Sequence, residues 1–198
     1  MSERKPRKDA ARNRAAVFAA ADDLFARCES PEAVTMADIA AAAGVGKATL
    51  FRAFGDRTGL IRALYEARLA PVRSAAGEGP SPLGPAAPPL LRVPALLDAM
   101  LCFKLDNRHL ALALEGVAGD SGPYRAEHYA WWHGLLRDAL EGIPGLADPG
   151  YTAHALLAAT RADLVEHLVG EERTGREQLR AQLAAHTARV IGSGTPRG

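Results

Sequence analysis

The sequence predicts an all-α fold, and three observations lead to that prediction. Of its 198 residues, 41 are Ala, whereas Ile supplies 4 and Val supplies 9. Ala is the best helix former and β-branched residues are the ones that strands prefer, so a β-sandwich or a parallel sheet is not expected. Apolar residues also recur at spacings of three and four, which places them on one face of a helix.

A segment rich in proline and glycine divides the chain. Residues 77–89 contain five Pro and three Gly. Because Pro lacks an N–H donor and restricts the residue before it, no helix is expected to cross this segment. The sequence therefore predicts an N-terminal unit and a C-terminal unit joined by a linker.

The N-terminal unit is predicted to hold four helices. The first covers 10–27 and ends at the Ser-Pro pair at 30–31, and its apolar residues share one face. A second helix covers 36–43 and a third covers 46–53. A longer fourth helix covers 56–75, and its buried stripe is predicted to be Leu60, Ile61, Leu64, Tyr65 and Leu69.

Capping residues mark the ends of these helices. Thr35 and Asp38 have the spacing of a capping box, in which the hydroxyl accepts a bond from an early helical N–H. Gly44 stops the second helix because it tolerates a positive φ. Asp56 is expected to cap the fourth helix.

Residues 37–51 have the form of a helix-turn-helix. Ala40 and Ala41 are small where the two helices must cross closely, and Gly44 permits the turn between them. The miniature core between the helices is predicted to be Ile39, Val45 and Leu50. This arrangement directs three side chains away from the core and leaves them free to enter a major groove, namely Lys47, Thr49 and Arg52.

Charge is distributed unevenly along the chain. The formal net charge is +1, but residues 1–70 hold 12 bases against 9 acids and residues 71–198 hold 12 against 14. The first 14 residues hold six bases against Glu3 and Asp9, and these bases are Arg4, Lys5, Arg7, Lys8, Arg12 and Arg14. A basic arm ahead of a helix commonly binds phosphates, and the alternative is a solvated tail.

The stretch from Ala10 to Leu64 resembles the N-terminal DNA-binding domain of the TetR family of bacterial transcriptional repressors. The resemblance rests on two segments, IAAAAGVGKATLFRAF at 39–54 and DRTGLIRAL at 56–64. The positions that match the family pattern are Ile39, Ala40, Ala43, Gly44, Val45, Leu50, Phe54 and Leu60. The resemblance implies an N-terminal three-helix domain with a helix-turn-helix, followed by a C-terminal helical bundle.

Three positions depart from the family pattern. Gly46 stands where the family usually has Ser, so a helix cap is missing, and Phe51 replaces a Tyr whose hydroxyl commonly reaches a phosphate. Arg57 replaces a Lys and keeps its charge. We therefore expect phosphate binding to depend more on the arginines of the first 14 residues and on Arg52 and Arg57.

The motif and the resemblance together predict a double-stranded DNA operator as a partner. Lys47 can donate to guanine, and Thr49 can use its hydroxyl or its methyl. The alternative for that hydroxyl is a hydrogen bond to its own helix. Ala48 is expected to let the backbone approach the duplex closely. The predicted DNA-binding residues are Thr35, Lys47, Ala48, Thr49, Phe51, Arg52 and Arg57.

The C-terminal unit is predicted to hold about five helices, at 94–106, 107–117, 123–140, 151–169 and 176–191. In the TetR family, two C-terminal helices pair with those of a second copy, which makes 151–169 and 176–191 the expected homodimer face. The alternative is that these helices only close a monomeric core. The apolar residues proposed for the face are Ala155, Leu156, Ala159, Leu164, Leu168, Leu179, Leu183 and Val190.

The resemblance also implies a small-molecule ligand among the middle helices, whose binding changes the spacing of the two DNA-binding heads. Aromatic and apolar walls with a few polar groups suit such a pocket, although ordinary core packing is the alternative for each residue. The candidates are Leu97, Met100, Phe103, Leu112, Glu115, Tyr124, Trp131, Trp132, Leu157 and Arg161.

Other classes of protein are not expected. No apolar run approaches the roughly 18 residues of a membrane span, and the basic N-terminus is not followed by the apolar core of a signal peptide. The six His residues lack metal-ligand spacing and no catalytic motif is found, so neither an enzyme, a cofactor nor a metal is expected. Cys28 and Cys102 are expected to be reduced core thiols of a cytoplasmic protein.

The resulting prediction is a homodimeric DNA-binding repressor that a small ligand releases from its operator. The expected organisation is a basic arm at 1–9, a DNA-binding domain at 10–55, a connecting helix at 56–76, the linker at 77–89, and a ligand-binding and dimerisation domain at 90–198. A helical adaptor that binds protein through the N-terminal hairpin is the alternative, and an enzyme is a weaker one.

Overall fold

The computed structural model describes residues 4–28, 33–80, 82–116 and 127–192, and within these ranges it is helical with no β-strand. The predicted all-α fold is confirmed. The chain separates into two compact units, residues 1–68 (unit 1) and residues 69–198 (unit 2). The division falls inside the fourth helix, ahead of the predicted linker.

Unit 1 begins with α1 (Arg4–Arg27), followed by α2 (Met36–Ala42) and α3 (Lys47–Phe54). Helix α1 starts six residues earlier than the predicted Ala10, so the described backbone of the basic arm is part of the helix. Pro6 is compatible with this start, because Pro is tolerated in the first turn of a helix. The predicted end of α1 at the Ser-Pro pair lies outside the described residues.

The start of α2 has the predicted capping box. The Thr35 hydroxyl accepts from the Asp38 N–H at 3.2 Å, and the Thr35 N–H donates to Asp38 Oδ2 at 3.0 Å. After α2, Gly44 has a φ of +64° and the Val45 N–H donates to the Ala40 carbonyl at 3.0 Å. The turn therefore reverses the chain in the left-handed conformation that glycine adopts without a steric penalty.

The miniature core of the helix-turn-helix is largely as predicted. Ile39 and Leu50 are buried, whereas Val45 is half-buried. Helix α4 (Arg57–Glu78) follows, and Asp56 Oδ1 accepts from the Gly59 N–H at 2.7 Å, which confirms the predicted cap. All residues of the predicted stripe on α4 are buried: Leu60, Ile61, Leu64, Tyr65 and Leu69.

The predicted linker falls within unit 2, where residues 77–80 and 82–89 are described. Helix α4 ends at Glu78 and α5 (Pro89–Asp106) begins at Pro89, with no helix in the described residues between them. Buried Arg92 donates from Nε to the Leu83 carbonyl at 3.2 Å and from Nη2 to the Ala76 carbonyl at 3.3 Å. The guanidinium thus connects the loop to the end of α4.

Unit 2 continues with α6 (Arg108–Gly116), α7 (Glu127–Glu141), α8 (Pro149–Ala158), α9 (Ala162–Glu166) and α10 (Arg176–Gly192). Helix α5 starts five residues before the predicted Pro94. The predicted start of α7 at position 123 lies outside the described residues. Helix α7 packs on α8, and α5 packs on both α7 and α10.

Two ion pairs join α5 to α10. Asp98 accepts two bonds from Arg180, at 2.7 and 2.8 Å, and Asp106 pairs with Arg176. Because the earlier residue of α5 meets the later residue of α10, the two helices run antiparallel.

The predicted single helix over 151–169 is wrong. The chain leaves the helical path after α8 and resumes at α9, and residues 167–171 then form a π-helical turn. At the interruption the Thr160 carbonyl accepts from the Lys104 ammonium at 2.7 Å, and the Ala162 N–H donates to Glu115 Oε2 at 2.8 Å. Buried Lys104 from α5 and half-buried Glu115 from α6 therefore satisfy the backbone groups that the break exposes.

Some of the residues predicted for the dimer face are buried inside the chain, and others are exposed. Leu156, Leu179 and Leu183 are buried within the chain and belong to its own core, so they are not available to a second copy. Ala155 is exposed, and Leu164 is 38% exposed. Tyr151 on α8, which the sequence did not suggest, is 70% exposed.

Two further expectations are tested by the described residues. Cys28 and Cys102 are free thiols, but both are half-buried and neither lies in the core. None of the described helices combines the length and the apolar character that crossing a bilayer requires.

Candidate nucleic-acid interface

Helix α3 presents one exposed face to solvent. At about 100° per residue, the first, second, fifth and sixth residues of a helix lie within an arc of roughly 140°. On α3 these residues are all exposed: Lys47, Ala48, Phe51 and Arg52. We call these four residues the α3 face.

The α3 face combines two cations with an aromatic ring and a small residue. The Phe51 side chain is 40% exposed, which is unusual for a residue of its size and apolar character. Ala48 lies between the cations and has no side chain beyond Cβ, so a partner can approach the backbone closely. Opposite this face, Leu50 is buried and holds α3 against the rest of unit 1.

Thr49 is exposed but lies to one side of the α3 face. It is about 60° beyond Arg52 on the helical wheel. On that side it borders a groove between α1 and α3. The structure therefore exposes Lys47, Thr49 and Arg52, as predicted, with Thr49 beside Arg52 and on the far side of it from Lys47.

Arg57 is half-buried and is engaged within unit 1. Its Nε donates to the Val34 carbonyl at 3.0 Å, and its guanidinium lies 5.6 Å from the centre of the Phe25 ring. These contacts connect the start of α4 to the residues before α2 and the end of α1. Arg57 thus has a structural role in addition to the predicted phosphate contact.

Thr35 is exposed, and its hydroxyl both accepts and donates within the capping box. It donates to Asp38 Oδ2 at 2.6 Å while accepting from the Asp38 N–H. Hydrogen bonds from the side chain and backbone of Thr35 lower the pKa of the Asp38 carboxyl below its ordinary value. Since the hydroxyl proton is already used, Thr35 acts in this structure as a cap, and a bond from it to a phosphate would have to replace the one to Asp38.

The described side chains of the basic N-terminal group are those of Arg12 and Arg14, and Arg14 lies beside α3. Its guanidinium lies 4.8 Å from the centre of the Phe18 ring and 5.4 Å from that of Phe54. Asn13, which the sequence did not suggest, lines the same groove as Arg14 and Thr49. Helical spacing alone would not have identified Asn13, because its position next to α3 depends on how α1 crosses the motif.

The residues predicted to line a ligand pocket in unit 2 differ in how deeply they are buried. Met100, Phe103 and Trp132 are buried, and the Trp132 indole N–H has no hydrogen-bond partner among the described residues. Trp131 is half-buried, with the Arg73 guanidinium 4.3 Å from its ring centre. Tyr124 lies outside the described residues.

The two charged candidates are engaged in ion pairs. Arg161 donates to Asp163 at the surface, with Nη2 to Oδ2 at 2.7 Å. Glu115 accepts from the Lys104 ammonium at 2.6 Å through Oε1 and from the Ala162 N–H through Oε2. Both oxygens of Glu115 therefore serve the interruption between α8 and α9.

Lys104 is a buried charge that the sequence reasoning missed. Burial lowers the pKa of its ammonium, and the neighbouring Glu115 carboxylate opposes that shift. Its only signal in the sequence is a charged residue within the apolar face of α5. Its role depends on contacts with residues 11 and 56 positions away in the chain.

Comparisons with known proteins agree with the helix-turn-helix. Residues 17–64 match the model of a family described as bacterial regulatory proteins, tetR family. A comparison with curated protein sequences gave no significant match.

Solved structures resemble the whole chain. A crystal structure of a Rhodococcus sp. protein assigned to the TetR family of transcriptional regulators gives a TM-score of 0.68 at 20% identity, covering 90% of this chain and 98% of that one. NalD, the secondary repressor of the MexAB-OprM multidrug efflux pump in Pseudomonas aeruginosa, gives 0.61 at 18% identity, covering 96% and 100%. At these identities the likeness establishes the fold, and the resemblance to the TetR family predicted from the sequence is confirmed.

Proposed function

Because residues 17–64 carry the TetR-family helix-turn-helix domain and the chain has the fold of those regulators, we propose that it is a sequence-specific DNA-binding repressor. It binds its operator as a homodimer, and a small molecule bound in unit 2 releases it. The release is a shift in population between dimers that can bind the operator and dimers that cannot.

The α3 face is the observation that supports this proposal most directly. An α-helix with its side chains is about 10–12 Å wide, and the major groove of B-DNA is about 12 Å wide, so a helix of this kind fits the groove. Lys47 and Arg52 supply donors for guanine edges or phosphates, and Phe51 supplies an apolar surface for a thymine methyl. Helix α2 and the buried Leu50 hold α3 so that this face stays exposed.

Homodimerisation follows from the way such a head reads DNA. Dimeric helix-turn-helix proteins bind two half-sites, so the two-fold symmetry of the protein matches that of the operator. Exposed Tyr151, Leu164 and Ala155 offer apolar surface on α8 and α9, where the fold family predicts the contact. The ligand is expected near Met100, Phe103, Trp131 and Trp132, whose apolar and aromatic side chains suit a small organic molecule.

Selection of bound fragments from the host genome by the purified full-length chain tests the proposal. We expect fragments that share an inverted repeat and bind with an affinity that falls steeply with salt, because phosphate contacts release counterions. A protein-binding adaptor would instead select no DNA sequence.

A pair of variants then tests the α3 face. Lys47→Ala is expected to reduce discrimination between the operator and a single-base variant by about 1–3 kcal/mol. Arg62→Gln, which removes an exposed base of unit 1 on α4, is the control and should leave that discrimination unchanged. Equal losses for both variants would show that charge alone, and not the α3 face, determines the selection.

A further inference from the structure

A half-open groove of about 500 Å³ lies between α1 and α3 in unit 1. Its floor contains Val17 and Leu50, which are almost completely buried, and its walls include the small residues Ala11 and Ala53. Small side chains on both helices leave the space open. Sites for small molecules typically have volumes of about 300–1,000 Å³ and apolar walls, and the groove meets both conditions.

Polar side chains are also among the lining residues of the groove. Asn13 and Arg14 come from α1, and Thr49 comes from α3. The Arg14 guanidinium lies over the rings of Phe18 and Phe54, 4.8 and 5.4 Å from their centres, and Phe54 itself lines the groove. A planar cation, an amide and a hydroxyl next to an apolar surface match a molecule with a flat apolar body and an anionic end.

The charges near the groove also favour an anion. Asp9 lines it, but this carboxylate lies 3.6 Å from the Arg12 guanidinium and is compensated by it. In the described part of unit 1, no carboxylate forms an ion pair with Arg14. Among the described side chains, Arg14 is therefore a cation at the groove that a ligand carboxylate can complement.

We propose that the groove between α1 and α3 binds a small aromatic carboxylate. The ring packs on Val17, Leu50 and Ala53, and the carboxylate accepts hydrogen bonds from Arg14. This site lies in the DNA-binding unit and is separate from the ligand site proposed in unit 2.

Such a ligand would act on DNA binding directly. Arg14 belongs to the basic group predicted to bind phosphates, so a carboxylate held against it competes with the DNA backbone for the same donors. This consequence rests on the proposed function, whereas binding of the carboxylate itself does not.

Titration of the full-length, ¹⁵N-labelled chain with 2-naphthoate, without DNA, tests the site. We expect amide shifts concentrated in α1 and α3, and we expect the neutral 2-naphthamide to bind about tenfold more weakly because it lacks the charge-assisted hydrogen bond. Arg14→Gln should remove the preference for the acid. Arg62→Gln, which makes the same change of charge outside the groove, should retain it.

A second variant tests the cavity. Ala53→Leu fills the groove from an exposed position and is expected to abolish the shifts in α1 and α3, whereas Ala67→Leu, on an exposed position of α4, should leave them intact. Circular dichroism verifies that each variant is folded. Equal affinity for the acid and the amide, shifts confined to residues 69–192, or unchanged binding by folded Ala53→Leu would each overturn the proposal.

Addition of a selected DNA fragment provides the final measurement. Competition between the fragment and 2-naphthoate supports the direct effect on DNA binding, and simultaneous binding of both contradicts it. If no DNA fragment binds the chain, the proposed function fails, and the titration without DNA still decides whether the groove binds the acid.

Discussion

The chain interrupts its helical path in two different ways, one in each unit. Between α2 and α3 it turns at Gly44, in a left-handed conformation with open space around the missing Cβ. Between α8 and α9 it stops at Ala159–Arg161, where no glycine or proline is present and the backbone groups are satisfied by Lys104 and Glu115. The first interruption is local and lies at the surface, whereas the second depends on a buried ion pair.

The difference shows what determines each break. A glycine with positive φ costs the folded chain little and requires no partner from elsewhere. The break after α8 leaves the Thr160 carbonyl and the Ala162 N–H without helical partners, and burying them unpaired would cost free energy. Two side chains distant in sequence supply the missing bonds, so this break exists only when unit 2 is folded.

The largest effect is expected from removing one side of the buried pair. Lys104→Met leaves the half-buried Glu115 carboxylate without its cation and the Thr160 carbonyl without its donor. Loss of one partner of a buried ion pair costs about 3–5 kcal/mol, so the free energy of unfolding should fall by that amount. Both Trp residues lie in unit 2, so urea unfolding followed by tryptophan fluorescence measures the change in that unit.

The double variant Lys104→Met/Glu115→Gln separates charge compensation from the hydrogen bond that Lys104 donates to the Thr160 carbonyl. The side-chain amide oxygen introduced at position 115 can still accept from the Ala162 N–H, and no uncompensated charge remains. We therefore expect the double variant to recover much of the stability that Lys104→Met loses. A double variant as unstable as Lys104→Met would show that the ammonium bond to the Thr160 carbonyl, and not charge compensation, holds the break.

At the local turn, replacing glycine should have a smaller effect. Gly44→Ala adds a Cβ that meets no atom within 4 Å, so only the left-handed backbone is penalised, by about 1–2 kcal/mol. Gly134→Ala is the matched control, because that Cβ also meets no atom but the position lies within α7. There the same substitution should stabilise by about 0.5–1 kcal/mol. Amide hydrogen exchange of α2 and α3 measures the effect of Gly44→Ala, and exchange of α7 measures that of Gly134→Ala. Destabilisation by both variants would contradict the explanation that the cost at position 44 comes from the left-handed backbone.

The same contrast explains which features the sequence could predict. The capping box, Gly44 and the stripe on α4 are each encoded by residues close together in the chain, and the structure confirms them. The break at Ala159–Arg161 and the role of Glu115 depend on Lys104 and Thr160, which are far apart in the chain. Local periodicity favoured one continuous helix at 151–169 because Ala and Leu fit a helix well there.

The candidate DNA-binding residues divide in the same way. Lys47, Ala48, Phe51 and Arg52 follow from the 3.6-residue period of one short helix. The bond from Arg57 to the Val34 carbonyl and the position of Arg14 beside Phe54 require knowledge of how α1 and α4 pack. Residue spacing within a helix therefore predicts which side chains share its exposed face, but it does not predict the contacts between helices.

The cap of α2 is a further local feature whose loss can be measured. Thr35→Ala should destabilise α2 by about 1 kcal/mol, because an early N–H of the helix loses its acceptor. Thr35→Ser keeps the hydroxyl and should retain most of the stability. Hydrogen exchange of the α2 amides distinguishes the two, and equal protection in Thr35→Ala and the parent chain would show that the cap is unimportant.

The contribution of this cap should also depend on pH. The folded chain holds the pKa of Asp38 below its ordinary value of 3.8, so the carboxylate stabilises the fold above that pH. This contribution is lost as the pH falls through the folded pKa. The difference between the parent chain and Thr35→Ala should therefore shrink at acidic pH below about 4, and a difference that grows on acidification would contradict the assigned role of Asp38.

The smallest effect is expected at the uncapped start of α3. Gly46 has an ordinary extended backbone and no capping bond, and a Cβ added there would lie 3.6 Å from the Thr49 hydroxyl, which is normal contact. Gly46→Ser should therefore fit and stabilise α3 by a few tenths of a kcal/mol, roughly the difference between serine and glycine as caps. Gly46→Ala adds the Cβ without the hydroxyl and is the control. Greater exchange protection of α3 in the serine variant than in the alanine variant supports the cap, and equal protection would mean that the start of α3 is held by its packing against unit 1 alone.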